Sequence, residues 1–262
     1  MKISFEPSTV AVVTGASRGI GFACAQALSR AGATCVIVAR KAATLASARS
    51  RLTAGGARVI ALAADVSDGG EAADLVERIE REVGPIDILI NSAGAAQRFA
   101  VNELGPSAFA QGMQAKYFPT MHMLEPVARR MAARQVGSIV NIIGQGGRQA
   151  SAIHISGGAA NAALMLATVG MARAYADRGV RINGINPGLT NTDRVTEGMQ
   201  AAARASNESV DQVLAKAQAA IPIGRMAEPE EIANVAVFLA SDLASYVTGA
   251  IIPMDGGSAS VI

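Results

Sequence analysis

Tryptophan is absent from this 262-residue chain, and phenylalanine and tyrosine bring the aromatic share to only 3%. That is too few rings for a protein that stacks the bases of a single-stranded nucleic acid. Charge gives a polyanion no purchase either: 23 lysines and arginines against 21 acids leave a net charge of +2, with both signs interspersed. The expected partner is a small molecule, with no nucleic acid and no membrane involved. Cysteine is scarce as well. Cys24 and Cys35 fall on a predicted helix and a predicted strand without metal-ligand spacing, which reads as buried free thiols in a reducing cytosol and no metal. The opening "MKISFEPSTV" lacks the apolar run of a signal peptide. No later stretch reaches about 18 uninterrupted apolar residues, so a cytoplasmic location is expected.

What the chain does have is aliphatic: 50% hydrophobic residues against 17% charged, enough for a large core. Short β-branched runs alternate with Ala-rich helical patterns: "VAVVT", "TCVIVA", "RVIALAA", "IDILIN", "GSIVNII", "VRINGIN" and "GAIIPM". Such runs separated by helices predict a doubly wound α/β fold, a mainly parallel seven-stranded sheet covered on both faces, as one domain over residues 1–262. Gly32 and Gly179 are placed to end helices, and Pro229 with Glu230 and Glu231 to begin one. One segment breaks the rhythm. From Thr190 to Ile221 no strand is predicted, and an excursion of that length reads as a helical lid over a site, at about residues 190–222. Its Ala and Met residues suit an apolar ligand, or simply the buried face of a lid helix.

"TGASRGIG" follows the first predicted strand and opens the first helix, with glycines at Gly15, Gly19 and Gly21. Small residues there let a backbone approach a pyrophosphate, whose charge sits against the helix N-terminus; a plain tight turn would use glycine too. The second strand ends "VIVARK". An NAD site places an acid at that end for the ribose 2′-hydroxyl, whereas Ala39, Arg40 and Lys41 offer none and two cations, with Arg18 nearby in the glycine turn. A 2′-phosphate suits this cluster, so NADP(H) is expected over NAD(H); the alternative is a set of solvated surface charges.

With "ADV" at Ala64 to Val66, "NSAG" at Asn91 to Gly94, "NPG" at Asn186 to Gly188 followed by Thr192, and the closing "EPEEIANVAVFLASDLASYVTGAIIPMDGG", the chain resembles the short-chain dehydrogenase/reductase family along nearly its whole length. The resemblance implies a Rossmann-type fold and a homotetramer or homodimer. It implies a cofactor turn of Gly15, Ser17, Arg18, Gly19, Ile20 and Gly21, and adenine contacts from Asp65 and Val66. It further implies that the backbone around Asn91, Ala93 and Gly94 lines the cofactor, and that Pro187, Gly188, Leu189 and Thr192 hold the nicotinamide end.

The family transfers hydride with an Asn, a Ser, a Tyr and a Lys. The Tyr protonates the developing alkoxide, the Ser hydrogen-bonds it, and the Lys lowers the Tyr pKa and grips the ribose. Here the matching positions hold Lys116, Gly144, Gly157 and Asn161. Lys116 and Asn161 exchange the family's Asn and Lys, so an ammonium could still reach the ribose region; a lysine snorkelling to solvent is the alternative. The adjacent Gly157 and Gly158 cost a helix interior about 1 kcal/mol each relative to Ala. Either a neighbouring subunit's helix packs there or a ligand fills the space of the missing ring. His154, one turn earlier, has a pKa suited to proton exchange near neutrality, unless it is only a helix-start residue. Gln145, beside Gly144, is a further candidate donor toward a carbonyl. These residues predict an NADP(H)-dependent oxidoreductase of a carbonyl/alcohol substrate with a nonstandard site. The alternatives are a non-catalytic NADP(H)-binding sensor or partner subunit, or a non-redox lyase or isomerase on the same fold.

Overall fold

A computed structural model describes residues 3–94, 97–99, 101–206 and 208–259. Its strands are β1 (Val10–Thr14), β2 (Thr34–Ala39), β3 (Val59–Ala63), β4 (Ile86–Asn91), β5 (Gly137–Ile142), β6 (Val180–Pro187) and β7 (Ile251–Met254). They form one sheet in the order β3-β2-β1-β4-β5-β6-β7, and every neighbouring pair is parallel. This is the predicted Rossmann-type sheet. Its strand order reverses between β1 and β4, and at such a switch the connecting turns part to leave a crevice beyond the strand ends.

The helices are α1 (Gly19–Arg30), α2 (Ala42–Thr53), α3 (Gly69–Glu82), α4 (Pro106–Gly112), α5 (Phe118–Arg134), α6 (Ile155–Tyr175), α7 (Asp193–Ser206), α8 (Val210–Ala219) and α9 (Pro229–Ala240). Alternation along the strands divides the core. Ala11 and Val13 of β1 face the layer of α1, α2 and α9, with Leu28, Leu45 and Leu239, while Val10 and Val12 face Leu75, Ile79 and Leu124 of α3 and α5. Both sheet faces are thus covered, which is why the strands read as continuous apolar runs. Gly32 follows α1 at φ +108°, and Pro229 opens α9 with Glu230 and Glu231 in its first turn, as expected. Cys24 and Cys35 are buried free thiols whose pKa values burial pushes up to about 12.

The strand ends are fixed by a buried polar row. In register, Thr14 pairs with Asn91 and Asn91 with Asn141. Asn91 Nδ2 donates to Asn141 Oδ1 at 3.0 Å and Asn141 Nδ2 to Thr168 Oγ1 of α6 at 2.9 Å, while Thr14 Oγ1 accepts from the Ser92 and Ala93 amides at 3.1 Å. A one-residue slip of β4 would strand these groups inside the core, so the row specifies register.

The strandless stretch after β6 forms α7 and α8, and a parallel bridge between Thr190 and Ala227 ties its base. The stretch 155–178, which contains α6, is long and apolar enough by length and composition to cross a membrane. In this fold α6 lies instead beside β6 and buries Ala160, Leu164, Thr168 and Ala172.

Candidate active site

The crevice at the switch point opens into a cleft of ≈ 1060 Å³. At one end stand Arg18, Arg40, Lys41, Thr44, Ser47, Asp65 and Val66. The glycine turn crosses the middle, with Gly15, Ser17, Gly19, Ile20 and Gly21 on the wall. Two of its glycines are obligatory. A β-carbon on Gly21 would lie 2.5 Å from the Gly15 carbonyl oxygen, and one on Gly15, at φ +67°, would lie 2.8 Å from that of Ser92. No side-chain hydrogen bond caps the first turn of α1 and no acid lies in it, an arrangement that suits an anion at a helix N-terminus. At the cationic end Asp65 is engaged by its own loop. The Ser67 hydroxyl donates to Asp65 Oδ1 at 2.6 Å and, with the Ser67 amide and the Arg40 guanidinium 4.0 Å away, holds the carboxyl below its usual range. The Arg40 side chain is 74% exposed, so this pair adds little to stability and leaves the guanidinium open to a ligand.

The opposite end is built from Ala93, Gly94, Lys116, Ile142, Gly144, Pro187 and Thr192. Lys116 stands on a π-helical turn, Met113–Tyr117, between α4 and α5, and its Nζ donates to the Ile142 carbonyl at 3.0 Å. Gly144 has φ +129°, a region L-residues rarely adopt, and a β-carbon there would lie 3.1 Å from Asn161 Nδ2. A β-carbon on Gly146 would lie 3.0 Å from His154 Cδ2 and 3.5 Å from Asn161 Nδ2. The 3₁₀ turn Gln145–Gly147 therefore covers His154 and Asn161 together, two helical turns apart on one face of α6. His154 is half-buried and Asn161 only 4% exposed.

A family model described as Enoyl-(Acyl carrier protein) reductase matches residues 15–259. Gluconate 5-dehydrogenase of Gluconobacter oxydans is 37% identical over 247 residues, covering 94% of this chain and 93% of its own. The chain belongs to the short-chain dehydrogenase/reductase family. Among solved family members, L-sorbose reductase from Gluconobacter frateurii, in complex with NADPH and L-sorbose, has a TM-score of 0.93 at 29% identity, with both chains covered to 100%. An NADPH-bound short chain oxidoreductase from Pseudomonas aeruginosa PAO1, described as containing an atypical catalytic center, has a TM-score of 0.89 at 32% identity, covering 99% of this chain and 100% of that one.

In this short-chain dehydrogenase/reductase several of the predicted residues stand off the cleft wall itself. The Asn91 side-chain amide is turned to Asn141, and the backbone that follows it, at Ser92, Ala93 and Gly94, provides the wall. Gly188 packs against Asp255, where its β-carbon would come within 2.9 Å of Cα, and Leu189 lines a separate apolar pocket of ≈ 140 Å³. Gln145 donates to Gln149 Oε1 at 2.6 Å and reaches Asp255 Oδ2 at 3.4 Å, so in this structure its amide ties the turn to the C-terminal segment. Gly158 is approached by the main chain of a neighbouring turn. Its missing β-carbon makes room for the Gly146 carbonyl, which would lie 2.8 Å away, so the backbone that packs there is the chain's own. His154 and Asn161 lie one layer behind the described cleft wall, whereas Lys116 is on it. Sequence reading missed Thr44, Ser47 and Gln114. Thr44 and Ser47 were findable, being three residues apart on one face of the helix that begins after Lys41.

Proposed function

We propose that this chain is an NADP(H)-dependent oxidoreductase acting on a small carbonyl/alcohol substrate through a nonstandard site. The observation that carries the cofactor choice is the cleft end where Arg18, Arg40, Lys41, Thr44 and Ser47 converge with no acid at the end of β2. Those donors match a 2′-phosphate, and the NADPH in two solved relatives supports the reading. When bound, the nicotinamide supplies or accepts a hydride. Lys116 provides the fixed positive charge beside the ribose in place of the cation missing at Asn161. His154 supplies the proton, which reaches the cleft past the Gln145–Gly147 turn, where Gly144, Gly146 and Gly147 put no side chain in the way. Asn161 holds that turn, and Gln145 anchors its outer side. The helices α7 and α8 form the lid.

A second reading, a non-catalytic NADP(H) binder, is favoured by one feature: Gly144, Gly157 and Asn161 carry no titratable group. A lyase or isomerase would rely on the same His154. Stopped-flow absorbance with L-sorbose or acetoacetyl-CoA plus NADPH, and gluconate plus NADP⁺, separates them, together with NADPH and NADH titrations. Turnover in which Lys116→Ala weakens both cofactor affinity and rate supports the enzyme. Tight NADPH binding without turnover selects the binder, and equal affinity for NADPH and NADH overturns the cofactor choice.

The chain self-associates as a homodimer or homotetramer in the cytoplasm. Support comes from α6, which is apolar all round and leaves Leu166 77% exposed beside Val169 and Ile155. Leu166→Glu should lower the mass in light scattering.

A further inference from the structure

One short element touches both ends of the cleft. The π turn Met113–Tyr117 carries Gln114, whose Nε2 donates to the Ser67 carbonyl at 2.9 Å, in the loop beside Asp65 and Val66. Two residues on, Lys116 Nζ donates to the Ile142 carbonyl at the opposite end. Between them the Ala115 carbonyl presses on the cleft floor, since a β-carbon on Gly94 would come within 2.6 Å of it. Gln114, Ala115 and Lys116 all line the cleft.

Local chemistry accounts for the turn. Phe118 N–H reaches back five residues to the Met113 carbonyl, and Pro119 brings no N–H to the Ala115 carbonyl four residues before it. One α-helical hydrogen bond is therefore missing at this point, and the inserted residue of the π turn accompanies 114, 115 and 116 standing on one wall. His122, on the first turns of α5, adds a second hold on the same loop through Nδ1 and the Val66 carbonyl at 3.2 Å.

We propose that this π turn couples the two halves of the cleft, with Gln114 as the positioning residue that relays occupancy of the adenosine end to Lys116 at the nicotinamide end. A ligand that orders the Asp65–Ser67 loop fixes the Ser67 carbonyl, hence Gln114, hence the turn and the Lys116 ammonium two residues along. The second ligand then meets a group already ordered, which is positive coupling, and the effect is reciprocal.

The inference rests on the dinucleotide reading of the cleft, and half-cofactors test the two separately. Adenosine 2′-monophosphate fills one end and reduced nicotinamide mononucleotide the other, and calorimetry gives the affinity of each alone and with the other saturating. In the unmodified protein the nucleotide halves should tighten one another by about 5-fold or more. In Gln114→Glu, which keeps the size but loses the donor, the tightening, read as the ratio of each half's affinity with and without the other, should vanish whatever the variant does to the binding of each half alone. Gln114→Lys, which restores a donor, should recover part of it. Gln114 is exposed, so these variants should keep the thermal midpoint, and a melt checks that. Undiminished coupling in Gln114→Glu, or none in the unmodified protein, overturns the relay. Failure of adenosine 2′-monophosphate to bind overturns the dinucleotide reading instead.

Discussion

The two ends of the cleft depart from one another in how much of their family they keep. The adenosine end retains the glycine turn, the uncapped start of α1, the Asp65 loop and the cations after β2, each made largely by backbone or by charges that tolerate exposure. The nicotinamide end has Lys116, Gly144, Gly157 and Asn161 where four polar side chains would do chemistry. Binding a dinucleotide uses many weak contacts spread over a surface, whereas proton transfer depends on one or two groups placed to within fractions of an ångström. On the proposed reading the contrast is between a surface suited to holding a ligand and a reaction centre with glycine, an amide and an ammonium in place of the family's four side chains.

The sharpest way to break this division is at His154. His154→Ala should lower turnover on the order of 10²–10⁴-fold while NADPH affinity stays within error. Steady-state rates and a fluorescence titration measure both, and full activity would remove His154 from the chemistry. Next in size, Arg40→Ala should weaken NADPH by about 1.5–3 kcal/mol, roughly 10- to 150-fold, and spare NADH. A loss shared equally by the two cofactors would mean that Arg40 does not read the 2′-phosphate. The smallest effect concerns Asp65, whose carboxyl the Ser67 hydroxyl holds low. A depressed folded-state pKa gives stability that is present above the unfolded value, about 3.9, and is lost as pH falls through the folded value. Ser67→Ala should therefore raise the Asp65 titration midpoint, read by carboxyl NMR, and flatten the fall in thermal midpoint in acid. An unmoved midpoint would assign the depression to the Ser67 amide and Arg40.

The sheet was legible because burial on both faces writes itself into continuous runs such as "IDILIN" and "TCVIVA", and the glycine turn because only glycine permits its close approaches. The cationic end was legible through a missing acid. The nicotinamide end was not, for a physical reason. Which way the Gln145 and Asn91 amides point depends on partners 110 and 50 residues away, Asp255 and Asn141, and no local pattern encodes such pairings. Likewise "SGGAAN" announces that something approaches the helix, without saying that it is the Gly146 carbonyl of the same chain. Gln114 was silent because its role arises from a π turn, and a one-residue insertion shifts every facing inferred from a 3.6-residue period.

The geometry at Gly144 also bears on the history of the site. A serine returned there by a single substitution would meet a backbone at φ +129° that an L-residue rarely adopts, and the Asn161 amide 3.1 Å from its β-carbon. The way back to the family's ordinary machinery is therefore ordered: position 161 must give up its place and the main chain must turn before a hydroxyl at 144 has any use. Gly144→Ser alone is therefore expected to strain the turn without supplying a well-placed hydroxyl.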